Sequence, residues 1–194
     1  MGEGILCVVS GPSGSGKTTL CRALSEREER VVYSISCTTR APREGEVDGE
    51  DYFFLEEEAF RAAVERGEFL EWAVVHGNYY GTRAGWVREQ LEAGRDVVMD
   101  LDVQGAASVR AADDAFIRER RVDVFVMPKA MEELRGRLSG RRTESEAQMA
   151  LRLQNALEEM QRAGEYEHQI LSGTKEADLA AFAAIVERER GLKG

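Results

Sequence analysis

The succession of apolar and polar positions divides the chain into short buried strands and longer helices. Residues 5–9 form an apolar run that ends at Ser10-Gly11-Pro12, which reads as a buried strand meeting a turn. Residues 17–27 then read as a helix, so strand, glycine-rich loop and helix follow in that order. From 31 to 80 the texture changes: β-rich pieces at Tyr52-Phe53-Phe54-Leu55 and at 69–75 surround one helix over 57–66, closed by Gly67. That texture predicts an inserted mixed α/β lobe. Helix returns over 84–92 with Gly94 as its cap, followed by a buried strand at 96–100, another helix, and a strand at 122–127. Strands separated by helices imply βαβ crossovers and a parallel sheet. Two helices, 131–138 and 146–162, are joined by the arginine-rich stretch 140–145, an exposed hairpin where a lid would sit. A strand near 169–171 and a helix over 177–189 complete the pattern.

Length changes the picture little. The 194 residues fit one α/β domain, large enough to bury about 70% of its unfolded surface. Neither repeats nor a low-complexity linker interrupts it, so the expected organisation is one domain with subdomains: a core of 1–34, 83–127 and 163–194, a lobe of 35–82 and a lid of 128–162. The longest apolar stretch, 122–127, is too short to cross a bilayer, and the first ten residues lack the basic flank and cleavage site of a secretory signal. The expectation is a soluble, cytoplasmic protein without a membrane partner. Its helix-rich surface leaves room for a homodimer contact. Cys7, Cys21 and Cys37 are odd in number and not spaced as a metal site, which fits reduced thiols.

Charge is more informative. A formal net charge of -10 argues against a general nucleic-acid binder, which carries a basic field. An anionic ligand must therefore meet local clusters of positive charge. Arginine supplies nearly all of it, because only Lys17, Lys129, Lys175 and Lys193 are lysines. Lys17, inside a glycine-rich loop, stands apart.

That loop, Gly11-Pro12-Ser13-Gly14-Ser15-Gly16-Lys17-Thr18, matches G-x-x-x-x-G-K-S/T, and it lies between a buried strand and a helix as the pattern requires. Glycines let successive backbone N–H groups turn toward one anion, and the helix N-terminus adds the positive end of its dipole. Lys17 is expected to reach the β and γ phosphates of ATP, with Thr19 closing the binding segment. The Thr18 hydroxyl is expected on Mg2+. Asp100 ends the strand Val97-Val98-Met99-Asp100 at the carboxyl edge of the sheet, the usual ligand side, and is assigned to the magnesium shell through water. The fold expected is thus the α/β P-loop NTPase class, three layers around a parallel core sheet. P-loops serve GTPases, motors and kinases alike. Asp102-Val103-Gln104-Gly105 imitates the D-x-x-G of GTPases, but no N-K-x-D follows to read guanine as GTPases do.

Ser34-Ile35-Ser36-Cys37-Thr38-Thr39-Arg40-Ala41-Pro42-Arg43 concentrates hydroxyls and two arginines ahead of Tyr52. Two guanidiniums and a phenol can bracket one phosphate, because the planar arginine fork donates parallel bonds to its oxygens. This segment, with GPSGSGKTTL before it and FLEWAVVHGNYYGT and DLDVQGAASVR after it, closely resembles the guanylate kinase family over nearly the whole chain. The resemblance implies transfer of a phosphoryl group from ATP to GMP, and to dGMP, with magnesium. It also implies that Arg40, Arg43, Tyr52 and Tyr80 hold the GMP phosphate while Ser36, Glu71, Thr82 and Asp102 read guanine. Chemistry points the same way: guanine offers donors at N1 and N2 and an acceptor at O6, so its pocket needs carboxylates beside hydroxyls.

Arg137 and Arg141 are four residues apart, on one face of a continuous helix, with Arg142 and Arg152 nearby. The resemblance implies that Arg137, Arg141 and Arg152 close over both nucleotides' phosphates. Catalysis would then be positioning and electrostatics without a general base, with Lys17 and the arginines, Arg43 among them, neutralising the transferring group. Two departures from the family stand out: Ser172-Gly173-Thr174 replaces an asparagine with acidic neighbours that meets the donor adenine, and Arg142 replaces a common glycine. A ribose bisphosphate kinase would keep Lys17 without needing the guanine-reading set. A non-catalytic guanylate-kinase-like binding module would not need the intact Gly16-Lys17-Thr18 and Asp100.

Overall fold

Short runs rich in valine or aromatic residues form most of the strands, and glycines at positive φ end several of the segments between them. The computed structural model describes residues 2–75, 77–129, 134 and 146–193, with backbone alone for 146–148. In chain order the elements are β1 (Leu6–Ser10), α1 (Lys17–Arg27), β2 (Val31–Tyr33), β3 (Cys37–Thr38), β4 (Phe53–Phe54), α2 (Glu57–Glu65), β5 (Phe69–Val75) and β6 (Asn78–Arg83). They continue as α3 (Ala84–Glu92), β7 (Asp96–Asp100), α4 (Val103–Ala111), α5 (Ala115–Arg120), β8 (Arg121–Pro128), α6 (Glu146–Gln161), a 3-10 turn (Arg162–Glu165), β9 (His168–Ser172) and α7 (Lys175–Lys193).

Five strands form a parallel sheet in the order β2-β7-β1-β8-β9. Its central strand β1 is buried at every residue, as a strand covered on both faces must be. Alternate side chains serve the two layers. Cys7, Val9, Val98, Val124 and Val126 pack against Leu20, Cys21 and Leu24 of α1 and Phe182 and Val186 of α7. Leu6, Val8, Val97, Met99 and Phe125 face the other way, onto Val87 and Leu91 of α3, Val103 and Ala106 of α4 and Ile117 of α5. The result is the expected three layers around a parallel sheet. All three cysteines are buried and free.

A second sheet, ordered β4-β3-β6-β5, is mixed: β3 and β4 run parallel and the other pairs antiparallel. Helix α2 covers it through Phe60, fully buried and stacked on Phe69 with centroids 4.3 Å apart. Close packing sets the sequence at β6. A side chain on Gly81 would bring its Cβ within 2.9 Å of the Glu71 carbonyl oxygen and of Trp72 Cβ.

The structure departs from the sequence pattern in a few places. Where one helix is expected after β7 there are two, because Ala112 turns extended and the Asp114 side chain caps α5 by accepting from the Ile117 N–H. The final helix begins at Lys175, two residues before the expected 177, and Thr174 Oγ1 accepts the Ala177 N–H at its start. The helix expected over 131–138 lies outside the described residues apart from Leu134, which is buried.

Candidate active site

The parallel strands end on one edge, and three of them deliver chemistry there. The loop after β1 is shaped by Gly11, Gly14 and Gly16, at φ 142°, 84° and 97°. Gly11 tolerates no side chain, since a Cβ would come within 2.3 Å of the Val126 carbonyl oxygen. Pro12 and Ser15 close a turn, with the Ser15 N–H donating to the Pro12 carbonyl (3.0 Å). Gly16 then opens α1 in the left-handed conformation, so the loop amides precede a helix N-terminus free of acidic residues. Lys17 folds back along the loop, its Nζ donating to the carbonyls of Gly11 (2.6 Å) and Pro12 (3.0 Å). Burial lowers its pKa and the nearby Asp100 carboxylate opposes that shift. Of the other loop residues, Ser13, Gly14 and Thr19 are exposed.

Thr18, in the first turn of α1, donates its hydroxyl proton to Asp100 Oδ2 (2.6 Å). The other oxygen of Asp100 accepts from the Tyr33 hydroxyl (2.5 Å). Two residues on, Asp102 caps α4, its Oδ1 accepting from Gln104 N–H (3.0 Å) and Gly105 N–H (2.7 Å). Asp102 interacts electrostatically with both Lys17 and Glu71.

On that sheet Glu71 of β5 pairs in register with Thr82 of β6, and the Thr82 hydroxyl donates to Glu71 Oε1 (2.8 Å). Glu71 is only 8% exposed, and burial raises its pKa, with Thr82 partly offsetting the rise. Ser36 precedes β3, and its carbonyl accepts the Phe53 N–H (3.0 Å). Arg40 lies over the Tyr52 ring, its Cζ 5.3 Å from the centroid, with the Tyr80 hydroxyl also interacting with it. Tyr52 and Tyr80 meet edge to face, centroids 6.1 Å apart. The Arg40 fork is engaged by Glu46 in two bonds of 2.8 and 2.9 Å, and Glu46 also accepts the Arg43 N–H (2.7 Å). Arg43 itself is exposed.

Helix α6 reaches the phosphate loop from above. Arg152 Nη2 donates to Ser13 Oγ (3.3 Å), and seven residues along, the Glu159 carboxylate meets the Ser13 backbone N–H and the field of Lys17. Arg137, Arg141 and Arg142 lie outside the described residues.

A cavity of about 640 Å³ runs from the phosphate loop along α1 to the end of β9, between Leu20, Ala23 and Leu179. Its far wall includes Ser172 and Gly173 of the segment that departs from the family pattern, which Asp178 of α7 ties down: Oδ2 accepts from Ser172 Oγ (3.0 Å) and Oδ1 from the Gly173 N–H (2.7 Å). Sequence reasoning missed Tyr33, Glu159 and Asp178. Only Asp178 had a local signal, an acid one turn into a helix after a Ser/Thr-rich loop.

A glycine-rich anion loop at the carboxyl edge of a parallel sheet, joined to a second mixed sheet, defines the P-loop nucleotide-binding class. The comparisons with known proteins make it particular. Residues 4–189 match the family model described as guanylate kinase. A guanylate kinase of Dechloromonas aromatica is 48% identical over 189 residues, covering 97% of this chain and 91% of that protein. One from Aromatoleum aromaticum is 45% identical, covering 96% and 89%. The crystal structure of guanylate kinase from Anaplasma phagocytophilum superposes with a TM-score of 0.75 at 30% identity, covering 98% of this chain and 88% of that one. The chain belongs to the guanylate kinase family.

Proposed function

We propose that this chain transfers the γ-phosphoryl group of ATP to GMP in a magnesium-dependent reaction, with the donor in the cavity along α1 and the acceptor on the second sheet. The observation that carries the reading is the position of Asp102, within electrostatic reach of Lys17 on the donor side and Glu71 on the acceptor side. The relatives named above are guanylate kinases, which supports a reading with two substrates.

On the donor side, the amides of 13–18 and the Lys17 ammonium grip the β and γ phosphates. Lys17 now donates to loop carbonyls, so it exchanges those neutral acceptors for charged phosphate oxygens without leaving the loop. Thr18 and Asp100 fit a magnesium ion: both are hard oxygen ligands, and because Asp100 holds the Thr18 proton, the lone pairs of the Thr18 oxygen are free for a cation. Magnesium bound there would neutralise charge on the phosphates. On the acceptor side, Glu71 and Asp102 accept from guanine N1 and N2 while Ser36 and Thr82 supply hydroxyls. Arg40, Arg43, Tyr52 and Tyr80 receive the phosphate, for which Arg40 turns part of its fork from Glu46.

No general base is required. A phosphate monoester has its second pKa near 6, so the attacking oxygen is already deprotonated at neutral pH. Arg152, already on Ser13, lies where it can stabilise the group in transit. ATP labelled on its γ-phosphorus tests the reaction directly. The label should appear in GDP, whereas release as inorganic phosphate with GMP unchanged would make the chain an ATPase. A ribose bisphosphate kinase has no use for the buried Glu71 and Thr82 pair, and a non-catalytic module has none for Thr18 on Asp100.

A further inference from the structure

The Tyr33 hydroxyl lies outside the residues that meet substrate, yet it makes one of the shortest hydrogen bonds in the site. Strand β2 is the edge of the core sheet beside β7, in a register that sets Tyr33 opposite Val98. Successive residues of a strand alternate faces, so Val98 and Asp100 project on the same side, the side covered by α1. Tyr33 is partly buried against that α1 layer, and its phenol extends two residues beyond its own register partner to reach Asp100. The Arg22 guanidinium, one turn beyond Thr18, lies over the phenol ring with its Cζ 4.9 Å from the centroid and covers it.

Asp100 is thereby held from two sides, with Oδ1 accepting from Tyr33 and Oδ2 from Thr18. A carboxylate at a strand end is free to rotate about its last bond, and rotation would let it take the Thr18 proton from another direction or release it to water. Fixing Oδ1 removes that freedom. With Oδ2 fixed as well, the Thr18 proton points at Asp100 and the oxygen's lone pairs are left for another partner. We infer that Tyr33 is a positioning residue for the magnesium shell, acting through Asp100 to orient Thr18 toward the cation. This rests on the donor-side reading above, and the groups that orient metal ligands typically change metal affinity by 10- to 100-fold when removed.

Tyr33→Phe keeps the ring, its packing and its contact with Arg22, and removes only the oxygen. The readout is the metal-dependent increment in nucleotide affinity: calorimetric titration of ADP into the full chain with saturating Mg2+ and again in EDTA. Wild type should bind ADP more tightly with Mg2+, and Asp100→Asn should lose most of that increment. In Tyr33→Phe the increment should shrink about tenfold, with affinity in EDTA and the thermal midpoint unchanged. An increment within twofold of wild type would overturn the inference, as would an equal loss in EDTA, which marks a packing effect on the loop. Should wild type itself show no increment, the fault would lie with the metal assignment of Thr18 and Asp100 and not with Tyr33 alone.

Discussion

In the proposed reaction, two side chains, Lys17 and Glu71, divide the chemistry. Lys17→Ala removes the ammonium that folds along the phosphate loop onto the Gly11 and Pro12 carbonyls. Turnover should fall by about 10²–10³-fold or more, the scale of losing one preorganised charge-stabilising group. GMP affinity should stay within about threefold by calorimetry, since the acceptor residues lie on the second sheet. Glu71 makes the opposite claim. Its carboxyl is raised by burial, so it takes up a proton at a higher pH than an ordinary glutamate, and once neutral it can no longer accept from both N1–H and N2–H of guanine. Affinity for guanosine, which has no titrating phosphate, should therefore weaken as pH falls through the raised Glu71 value. A Glu71→Gln chain should show weaker and pH-independent binding over the same range. The same sign governs stability: the folded state holds this proton more tightly than the unfolded state, so ionisation of Glu71 at higher pH opposes folding.

The elements show how much of this was legible. The phosphate loop could be read because all its parts are contiguous and each has a fixed spacing from the strand before it and the helix after it. Helix α1 and strands β5 and β7 begin and end where the pattern puts them, since each carries an unbroken periodicity closed by glycine or charge. The two-residue strands β3 and β4 are defined by their partners across the sheet and leave no periodicity of their own. Tyr33 and Glu159 were illegible for a related reason: they meet Asp100 and Ser13 across 67 and about 146 residues of chain, by sheet order and helix docking. The grouping of Arg40 with Tyr52 was legible, but its pairing with Glu46 was not. At this scale the loop after β9 gives a clean prediction. Asp178→Ala removes two hydrogen bonds, from the Ser172 hydroxyl and the Gly173 N–H at the far wall of the proposed donor cavity, at about 1 kcal/mol each. The KM for ATP should rise about three- to tenfold while the KM for GMP stays constant. Equal effects on both substrates would place the loop elsewhere in the mechanism.

Across the whole molecule, one buried acid fastens the two ends of the chain to the sheet. Asp96 is fully buried at the start of β7; its Oδ1 accepts from the Ile5 N–H (3.0 Å) and its Oδ2 from Arg190 Nε (2.6 Å) on the last helix. Asp96→Ala leaves that guanidinium and that amide without their acceptor, at a cost of about 3–5 kcal/mol. Urea unfolding should show the loss directly, and the surviving folded fraction should keep its GMP preference, because Asp96 lies at the opposite end of β7 from Asp100. The sheet order itself explains the division of labour: β1 and β7 are neighbours, so the phosphate loop, Asp100 and Asp102 emerge side by side on one edge. The second sheet brings Glu71 and Thr82 to that edge from a separate part of the chain. In the proposed reading, donor and acceptor sites are built on different sheets, with Asp102 within electrostatic reach of both.

The most direct test of that arrangement is a comparison of acceptors. With ATP and magnesium in excess, ADP formation is followed as GMP or AMP is varied, for the wild-type chain and for Glu71→Gln. The wild-type kcat/KM for GMP should exceed that for AMP by about 10³-fold or more, because AMP would leave the buried carboxylate without its N1–H and N2–H donors. In Glu71→Gln the ratio should fall by at least tenfold, through loss on GMP. Comparable wild-type rates with both nucleotides, or a ratio unmoved by the substitution, would contradict the account.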